Sequence, residues 1–464
     1  MRARALAALL ACVGAAALVL TRPQALRPDL RPPVLAADVL VVGGSPAGVA
    51  AALAAARQGR TVILVERRPY LGTVWTAAML NMMDLSRTPT GAHLIRGIFL
   101  EVYEKLGGVT FDPRHARRVL RALVEAEPGI LLLLRTEVVR PVREGARVTG
   151  ALVRFQDGEV RPVRAVVVID ATDDGDVAAA AGVRFTYGRE TSGADRRAMP
   201  ATLMFRVADV DWRAVVHYAL AHRRGRQPSG ALRGYAWGFR DLMFNYQPAD
   251  QRLSAHDLNL GRLPDGTILI NALQVHDVDG TDPASLRDGY ERARAEVPRL
   301  LEYLRAHVPG FEQARLVELA PELYVRETRH LAGLYTLTAA DIAASRVFWD
   351  RVATGSYPID LHPYRKGERS PFKPVRRMYT IPLRALVTAG VDGLFVASRA
   401  FSATYQAAGS ARVVPTTMAM GEAAGVAAAV AVEHGVTPQQ LAALPDLVRE
   451  VQRRLVRAGA VIEF

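Results

Sequence analysis

Two short apolar runs, "DVLVVG" at residues 38–43 and "TVILVE" at 61–66, bracket an alanine-rich segment from Pro46 to Gln58. Both runs are rich in β-branched residues, as strands buried on both faces of a parallel sheet are. Gly59 stands where the intervening helix would stop. The pattern predicts a strand–turn–helix–strand unit. Residues 96–127 read as helical, with apolar positions at helical spacing in "RHARRVLRALVEAEPG". Strand-like runs follow: "ILLLLRTEVVRPV", "RVTGALVRFQDGEV" and "RAVVVIDATDDGD". Their short length and the "QDGE" turn predict an antiparallel meander that feeds back into the main sheet.

Residues 200–370 are less regular and hold amphipathic helices such as "PASLRDGYERARAEVPRLLEYLRAHV", with most of the tryptophans and histidines. A substrate-covering domain belongs there. After residue 378 the α/β pattern returns. "VDGLFVAS" reads as a strand, and a Gly/Ala loop then leads to a helix whose start is marked by Pro415-Thr416-Thr417. Gly421, Ala424, Gly425 and Ala428 line one face of that helix with small residues, so it can lie close against a neighbour.

The first forty residues break this pattern. Arg2 and Arg4 precede the uncharged run "ALAALLACVGAAALVL", followed by the Pro/Arg-rich "TRPQALRPDLRPP". A basic start before an apolar run reads as an export signal or a short uncleaved anchor. The protein is expected to be exported, periplasmic or extracellular, or else membrane-anchored.

At 464 residues the chain has length for two or three domains, and its 50% hydrophobic, 23% charged composition is ordinary for a globular protein. The formal net charge of +13 raises nucleic acid or an anionic partner as ligands. The basic residues are scattered in short clusters such as Arg117-Arg118 and Arg223-Arg224, without an aromatic-interleaved stripe, so a solvated arginine-rich surface is expected and no nucleic-acid partner. Cys12 is the only cysteine, which removes disulfides, CxxC redox pairs, iron–sulfur ligands and thiolate zinc sites. Redox chemistry here needs an organic cofactor. Asp173, Asp174 and Asp176 sit close together but lack the terminal Glu of a calcium loop, so no metal is expected.

The candidate chemistry starts at the first turn. Gly43, Gly44, Ser45, Pro46, Ala47 and Gly48 lie between strand and helix, with Ser45 where a dinucleotide fingerprint has glycine. The helix N-terminus offers free N–H groups to a pyrophosphate. Glu66 ends the second strand, where an acceptor for a ribose hydroxyl belongs. That acid disfavours NADP but does not separate NAD from FAD. Asp170 ends a later strand of the same kind. No second fingerprint occurs, so a two-nucleotide architecture is not expected. The late helix start at Pro415 can stabilise negative charge, which a reduced flavin carries at its N1–C2 carbonyl edge and NAD does not. His256, His276 and His307 read as structural or surface groups. "YVRETRH" (324–330) and "YPIDLH" (357–362) are denser in polar groups.

Four blocks in order, "VVGGSPAGVAAALAAARQGRTVILVE", "VVIDATDDGDVAAAAG", "RETRHLAGLYTLTAADI" with "GSYPIDLH", and "GVDGLFVASRAFSATYQAAGSARVVPTTMAMGEAAGVAAA", together resemble the FAD-dependent oxidoreductases related to the fumarate reductase/succinate dehydrogenase flavoproteins. The resemblance implies an α/β fold with a Rossmann-like, glutathione-reductase-like FAD domain built from both chain ends and an inserted α+β substrate domain. The implied divisions are 1–37 signal or anchor, 38–198 and 376–440 FAD domain, 199–375 cap, and 441–464 a C-terminal helix. Gly43, Gly48 and Glu66 would hold the ADP half, with Arg67 beside them. Asp170 and Thr172 would lie near the pyrophosphate turn. Arg412 with the helix start at 415–421, including Thr416, would approach the isoalloxazine, and Arg399 is a further cofactor-binding candidate. The chain departs from the family pattern at Ser45, Asp173, Ser398, Tyr405 and His330. No His follows Gly72 in the manner of covalently flavinylated relatives, which implies noncovalent FAD.

The implied chemistry is hydride transfer from a small organic substrate to flavin N5, with Arg412 steadying charge. His330, His362 and Tyr405 are candidate bases or clamps, and Arg326, Arg329 and Asp360 would orient the substrate. Electrons would leave to an external acceptor, namely oxygen, a quinone or a partner protein. The reverse reaction, reduction of an activated alkene, stays open. So do an NAD-linked dehydrogenase and a non-catalytic flavin-binding subunit of a membrane-associated complex.

Overall fold

Strand β1 (Leu35–Val42), helix α1 (Pro46–Arg57) and strand β2 (Val62–Glu66) form the expected opening unit, with β1 and β2 paired in parallel from Val39↔Val62 to Val42↔Val65. The computed structural model describes residues 35–224, 228–368, 372–375 and 377–464. The signal or anchor reading of residues 1–37, with Cys12, lies outside the described residues as far as residue 34, and its last three residues, Leu35 to Ala37, instead begin β1.

The run "ILLLLRTEVVRPV" is two strands with different roles. Strand β3 (Ile130–Leu134) extends the parallel sheet beyond β2, and strand β4 (Glu137–Glu144) begins the meander. The break falls at Arg135, which adopts a left-handed φ of 51°. Strands β5 (Arg147–Arg154) and β6 (Val160–Asp170) continue the meander. The helical stretch 96–127 is likewise two helices, Ile98–Leu106 and Pro113–Glu125, separated at Gly107-Gly108.

Strand β6 joins the two ends of the chain. Along one edge it pairs in parallel with β1 from Leu35↔Val163 to Val42↔Asp170. On its other edge the first half pairs antiparallel with β5, and the second half pairs in parallel with β7 (Leu394–Val396). One seven-stranded sheet results, made of early strands and one strand from the last seventy or so residues. Helix α2 (Val414–Glu433) packs on α1. A side chain at Gly421 would run into the Ala47 carbonyl, and one at Gly425 into that of Ala51, so the small-residue face read from sequence is an α1–α2 contact at backbone distance.

A second sheet carries the middle of the chain. Its six antiparallel strands run in the order Gly230–Leu232, Tyr235–Gly238, Leu258–Arg262, Ile268–Asn271, Phe205–Ala208 and Arg315–Leu319. The long helix Pro283–His307, begun by Asp282 as N-cap and Pro283, packs beside its last strand.

Candidate cofactor groove and redox site

The turn after β1 places backbone donors at the end of the sheet. Gly43 takes φ +102°, and its N–H donates to the Val65 carbonyl at 2.8 Å. A Cβ at Gly48 would collide with the Gly43 carbonyl, so the third position of the fingerprint is glycine for want of space. Ser45 is the N-cap of α1. Its hydroxyl accepts from Gly48 N–H at 3.1 Å and donates to the Ala171 carbonyl at 2.9 Å, which ties α1 to the end of β6. Pro46 fills the first helical position, where a missing N–H costs nothing.

Glu66 is buried at the end of β2. One carboxylate oxygen accepts from Gly44 N–H at 2.7 Å, and the other from Arg68 N–H at 2.8 Å and its guanidinium at 3.1 Å. Asp170 is fully buried and accepts from Thr172 N–H and hydroxyl and from Ala178 N–H at 2.6–3.0 Å. Burial pushes its carboxyl up to about 7, against those hydrogen bonds. A cavity of about 810 Å³ runs past Gly43, Glu66, Arg67, Thr172, Asp173 and Arg399. Arg67 stands at the rim with 62% of its side chain exposed, while Arg399 is held inside by Asp174 at 2.7 Å.

The groove closes into a narrow extension of about 40 Å³, lined by Ser45, Asp84, Arg326, Arg412 and Thr417, and it shares Asp173, Tyr324 and Arg399 with the wider part. Arg412 is buried at the end of the helix Tyr405–Ala411, just before α2. It donates to the Tyr324 hydroxyl at 3.1 Å and to the Asp360 backbone and carboxylate at 3.3 and 3.5 Å. Among the described residues Arg326, also buried, donates to neutral oxygens: the Pro200 carbonyl and Thr202 hydroxyl, both at 2.8 Å, and Asn271 at 3.3 Å. Burial lowers its pKa.

Two carboxyls here diverge. Burial and repulsion by Asp360 push Asp84 up to about 6, with Arg412, the Tyr357 hydroxyl bonded to it, and Arg326 pulling the other way. Burial also works against ionisation of Asp360, yet its His362 hydrogen bond and the charges of Arg412 and Arg326 outweigh it and hold Asp360 well below the usual carboxylate range. Such a split between neighbouring acids is a feature of proton-handling sites.

His362 lies between Asp360 and Gln274, with Nε2 3.4 Å from the Asp360 carboxylate and Nδ1 3.1 Å from the Gln274 amide nitrogen. The Gln274 oxygen takes the Ser254 hydroxyl at 3.4 Å, which leaves its NH₂ to donate to His362. Nδ1 is therefore the acceptor and Nε2 carries the proton toward Asp360. Tyr405, at the first turn of its helix, sits edge-on to Tyr364 with ring centroids 6.1 Å apart. His330 is buried against Glu327 at 3.0 Å. Glu327 also accepts from Met199 N–H and the Tyr364 hydroxyl, at 2.8 and 3.4 Å. Arg329 is engaged by the Asp174 carbonyl and Asp176 at 2.9 and 2.7 Å, on the Asp170 turn rather than around Arg412. The structure thus gathers Arg326, Asp360, His362 and Arg412. It adds Asp84 and Gln274, which sequence reasoning did not single out, and Tyr324 and Tyr357, which open the motifs 324–330 and 357–362 but were given no role there. The lone acid in "AAMLNMMDLS" was the available signal for Asp84.

The closed end fits a flavin on its own evidence. Arg412 lines this end, and its Nε is buried without a hydrogen-bond partner among the described residues, a donor that a bound ring system with carbonyl and nitrogen acceptors would satisfy. Thr416, fully buried in the first turn of α2, lines neither part of the groove, where Thr417 does. A parallel sheet with a phosphate-binding helix turn, a buried acid at the next strand end and a late helix start define a dinucleotide-dependent redox enzyme. The chain belongs to the FAD-dependent oxidoreductase family, whose description matches residues 38–455, and it is an FAD enzyme. Among curated proteins it is 31% identical over 227 residues to a digeranylgeranylglycerophospholipid reductase of Methanosphaerula palustris, covering 44% of this chain and 52% of that one. It is also 31% identical over 158 residues to the protein of that name from Methanoculleus marisnigri, covering 29% of this chain and 38% of that one. The chain thus spans about half or less of these relatives' length. A geranylgeranyl bacteriochlorophyll reductase-like structure from Thermoplasma acidophilum is 14% identical, with a TM-score of 0.45 over 92% of this chain and 85% of that one. The flavin-dependent brominase Bmp2 is 11% identical, with a TM-score of 0.45 over 86% and 80%.

Proposed function

We propose that this enzyme moves a hydride between a small organic substrate with an anionic group and FAD bound noncovalently along the groove, in the direction of substrate oxidation. The observation that carries the proposal is the closed end itself, where two buried guanidiniums face a raised carboxyl bonded to a tyrosine. When bound, the flavin supplies a two-electron acceptor at N5. Arg326, whose hydrogen bonds go to neutral oxygens and whose nearby acids act on it only through space, supplies a positive charge for a substrate carboxylate or similar anion. Asp84, ionised above about pH 6, takes the substrate proton at its carboxylate, directly or through the Tyr357 hydroxyl. Asp360, kept ionised, holds Arg412 in place, and His362 holds Asp360. His330, held by Glu327, and Arg329, held by the Asp174–Asp176 loop, serve as supports in this reading, and Tyr405 packs edge-on to Tyr364.

The kinship with fumarate reductase/succinate dehydrogenase flavoproteins and the glutathione-reductase-like division into a two-part FAD domain and a cap rest on the four sequence blocks and on the meander beside β6. Electrons then pass to an external acceptor: oxygen, a quinone or a partner protein. Export or membrane anchoring rests on the basic and apolar run at residues 2–20. A second reading, reduction of an alkene, is favoured by the names of the curated relatives and by Asp84, which below about pH 6 can deliver a proton. Anaerobic titration of the yellow protein with alcohols, amines and hydroxy acids decides between them. Bleaching of the flavin band by an anionic substrate supports oxidation. Reoxidation of dithionite-reduced protein by an activated alkene, with no bleaching by any donor, overturns it.

A further inference from the structure

A second cavity, of about 990 Å³, has no lining residue in common with the cofactor groove. It lies between the end of α1, the start of the helix Ile98–Leu106, the middle of α2 and the last helix, Pro445–Arg457. Among its lining residues is Glu422, the one charged residue inside α2 before the terminal Glu433, with its carboxylate against Gly97. Glu422 is 2% exposed. One of its oxygens accepts from Ile98 N–H at 3.1 Å, while the other is buried with no partner among the described residues. Burial pushes this carboxyl up to about 7, so near neutral pH it can meet a ligand as O–H donor or as acceptor. An acid placed mid-way along an alanine-rich core helix with half of its hydrogen-bonding capacity unused is costly unless something else completes it.

The walls are basic and divide into two kinds. Arg57 is held by Glu101 and Glu127 at 2.8 and 2.6 Å, and Arg454 by Glu433 at 3.0 Å and by Glu450. These pairs fix the cavity's shape. Arg453 and Arg457 come from the same helix one turn apart, both exposed, and neither has an acidic partner among the described residues. Two free guanidiniums at this spacing suit an anion with several oxygens, and the cavity has the volume of a small-molecule site.

We infer that this cavity is a binding site for a phosphorylated small molecule of mononucleotide or sugar-phosphate size, its phosphate held by Arg453 and Arg457 and a hydroxyl or amine reaching the free oxygen of Glu422. The site is separate from the redox chemistry, and its occupancy bears on α1 and α2, whose N-terminal turns face the flavin end of the groove.

The test is equilibrium binding of AMP, glucose 6-phosphate and inorganic phosphate to the flavin-loaded protein by calorimetry, beside the double variant Arg453→Ala/Arg457→Ala and the single variant Glu422→Gln. Neither arginine lines the groove, so an unchanged flavin spectrum certifies the fold of the double variant. The inference expects one of the two organic phosphates to bind, with at least about tenfold loss in the double variant, a smaller loss in Glu422→Gln, and weaker binding of inorganic phosphate. No organic phosphate binding, binding that survives the double variant, or equal affinity for inorganic phosphate would each overturn it.

Discussion

The two ends of the groove are built by different means. At the Glu66 end the groove is framed by a helix start and one buried acid, and the residues that shape it, Gly43, Ser45, Gly48 and Glu66, lie within a single run of 24 residues (43 to 66 inclusive). At the closed end the groups are side chains from residues 84, 274, 326, 357–362 and 412, assembled by loops between distant elements. Backbone recognition tolerates substitutions that keep the turn. Side-chain recognition depends on each charge being answered by another. The contrast lies in how damage spreads.

Gly48→Val should have the largest effect, because its side chain meets the Gly43 carbonyl and no rotamer avoids backbone. Overpacking of this kind costs a few kcal/mol, and the variant should purify without flavin or not fold. A yellow, stable Gly48→Val would break the account of the turn. Arg412→Met should leave FAD bound but lower kcat/KM by about 10²-fold or more, the usual loss when a charge-stabilising donor is removed. It should also move the Asp84 titration upward, since Arg412 is one of the charges that pull it down.

Asp84→Asn tests the proton-handling role. In the oxidative direction wild-type kcat/KM should rise with pH through about 6 as Asp84 ionises, and the variant should lose both that inflection and about 10² in rate. An unchanged pH profile would assign the proton to another group. Glu422→Gln addresses stability instead. A carboxyl whose folded pKa is raised to about 7 binds its proton more readily folded than unfolded, so its contribution is present at low pH and is lost as pH rises from about 4 through about 7. The variant should flatten that fall and be more stable than wild type at pH 8 by on the order of 1 kcal/mol, as read by denaturant melts. Ser45→Gly should do least. Glycine is itself a fair N-cap, and the loss is a few tenths of a kcal/mol plus the bond to Ala171. Flavin should stay bound, and its release would show that the hydroxyl does more than cap α1.

How much could be read beforehand follows the same division. The opening unit, Asp170 at its strand end and the close face of α2 were legible because hydrophobic period, glycine spacing and small-residue stripes are local properties of the chain. "ILLLLRTEVVRPV" was misread as one kind of strand because the left-handed turn at Arg135 has no glycine to mark it. Asp84 and Gln274 were missed because their meaning lies in what they face. Arg329 stands beside Arg326 in sequence motif but turns to the Asp174–Asp176 loop, a difference set by the pairing of Arg329–Leu331 with Phe185–Tyr187. Ser45, which looked like a weakened fingerprint, is a cap with two hydrogen bonds.

The central claim is that the groove runs from Glu66 to Arg412 with the flavin ring at the closed end. A crystal structure of the yellow protein tests it most directly. The account predicts the N1–C2 edge of the isoalloxazine within hydrogen-bonding distance of Arg412 or the first turn of α2, with Asp84 and Tyr357 on the substrate side. A ring lying in the open part of the groove near Arg67, with the Arg412 cluster left untouched, would contradict it.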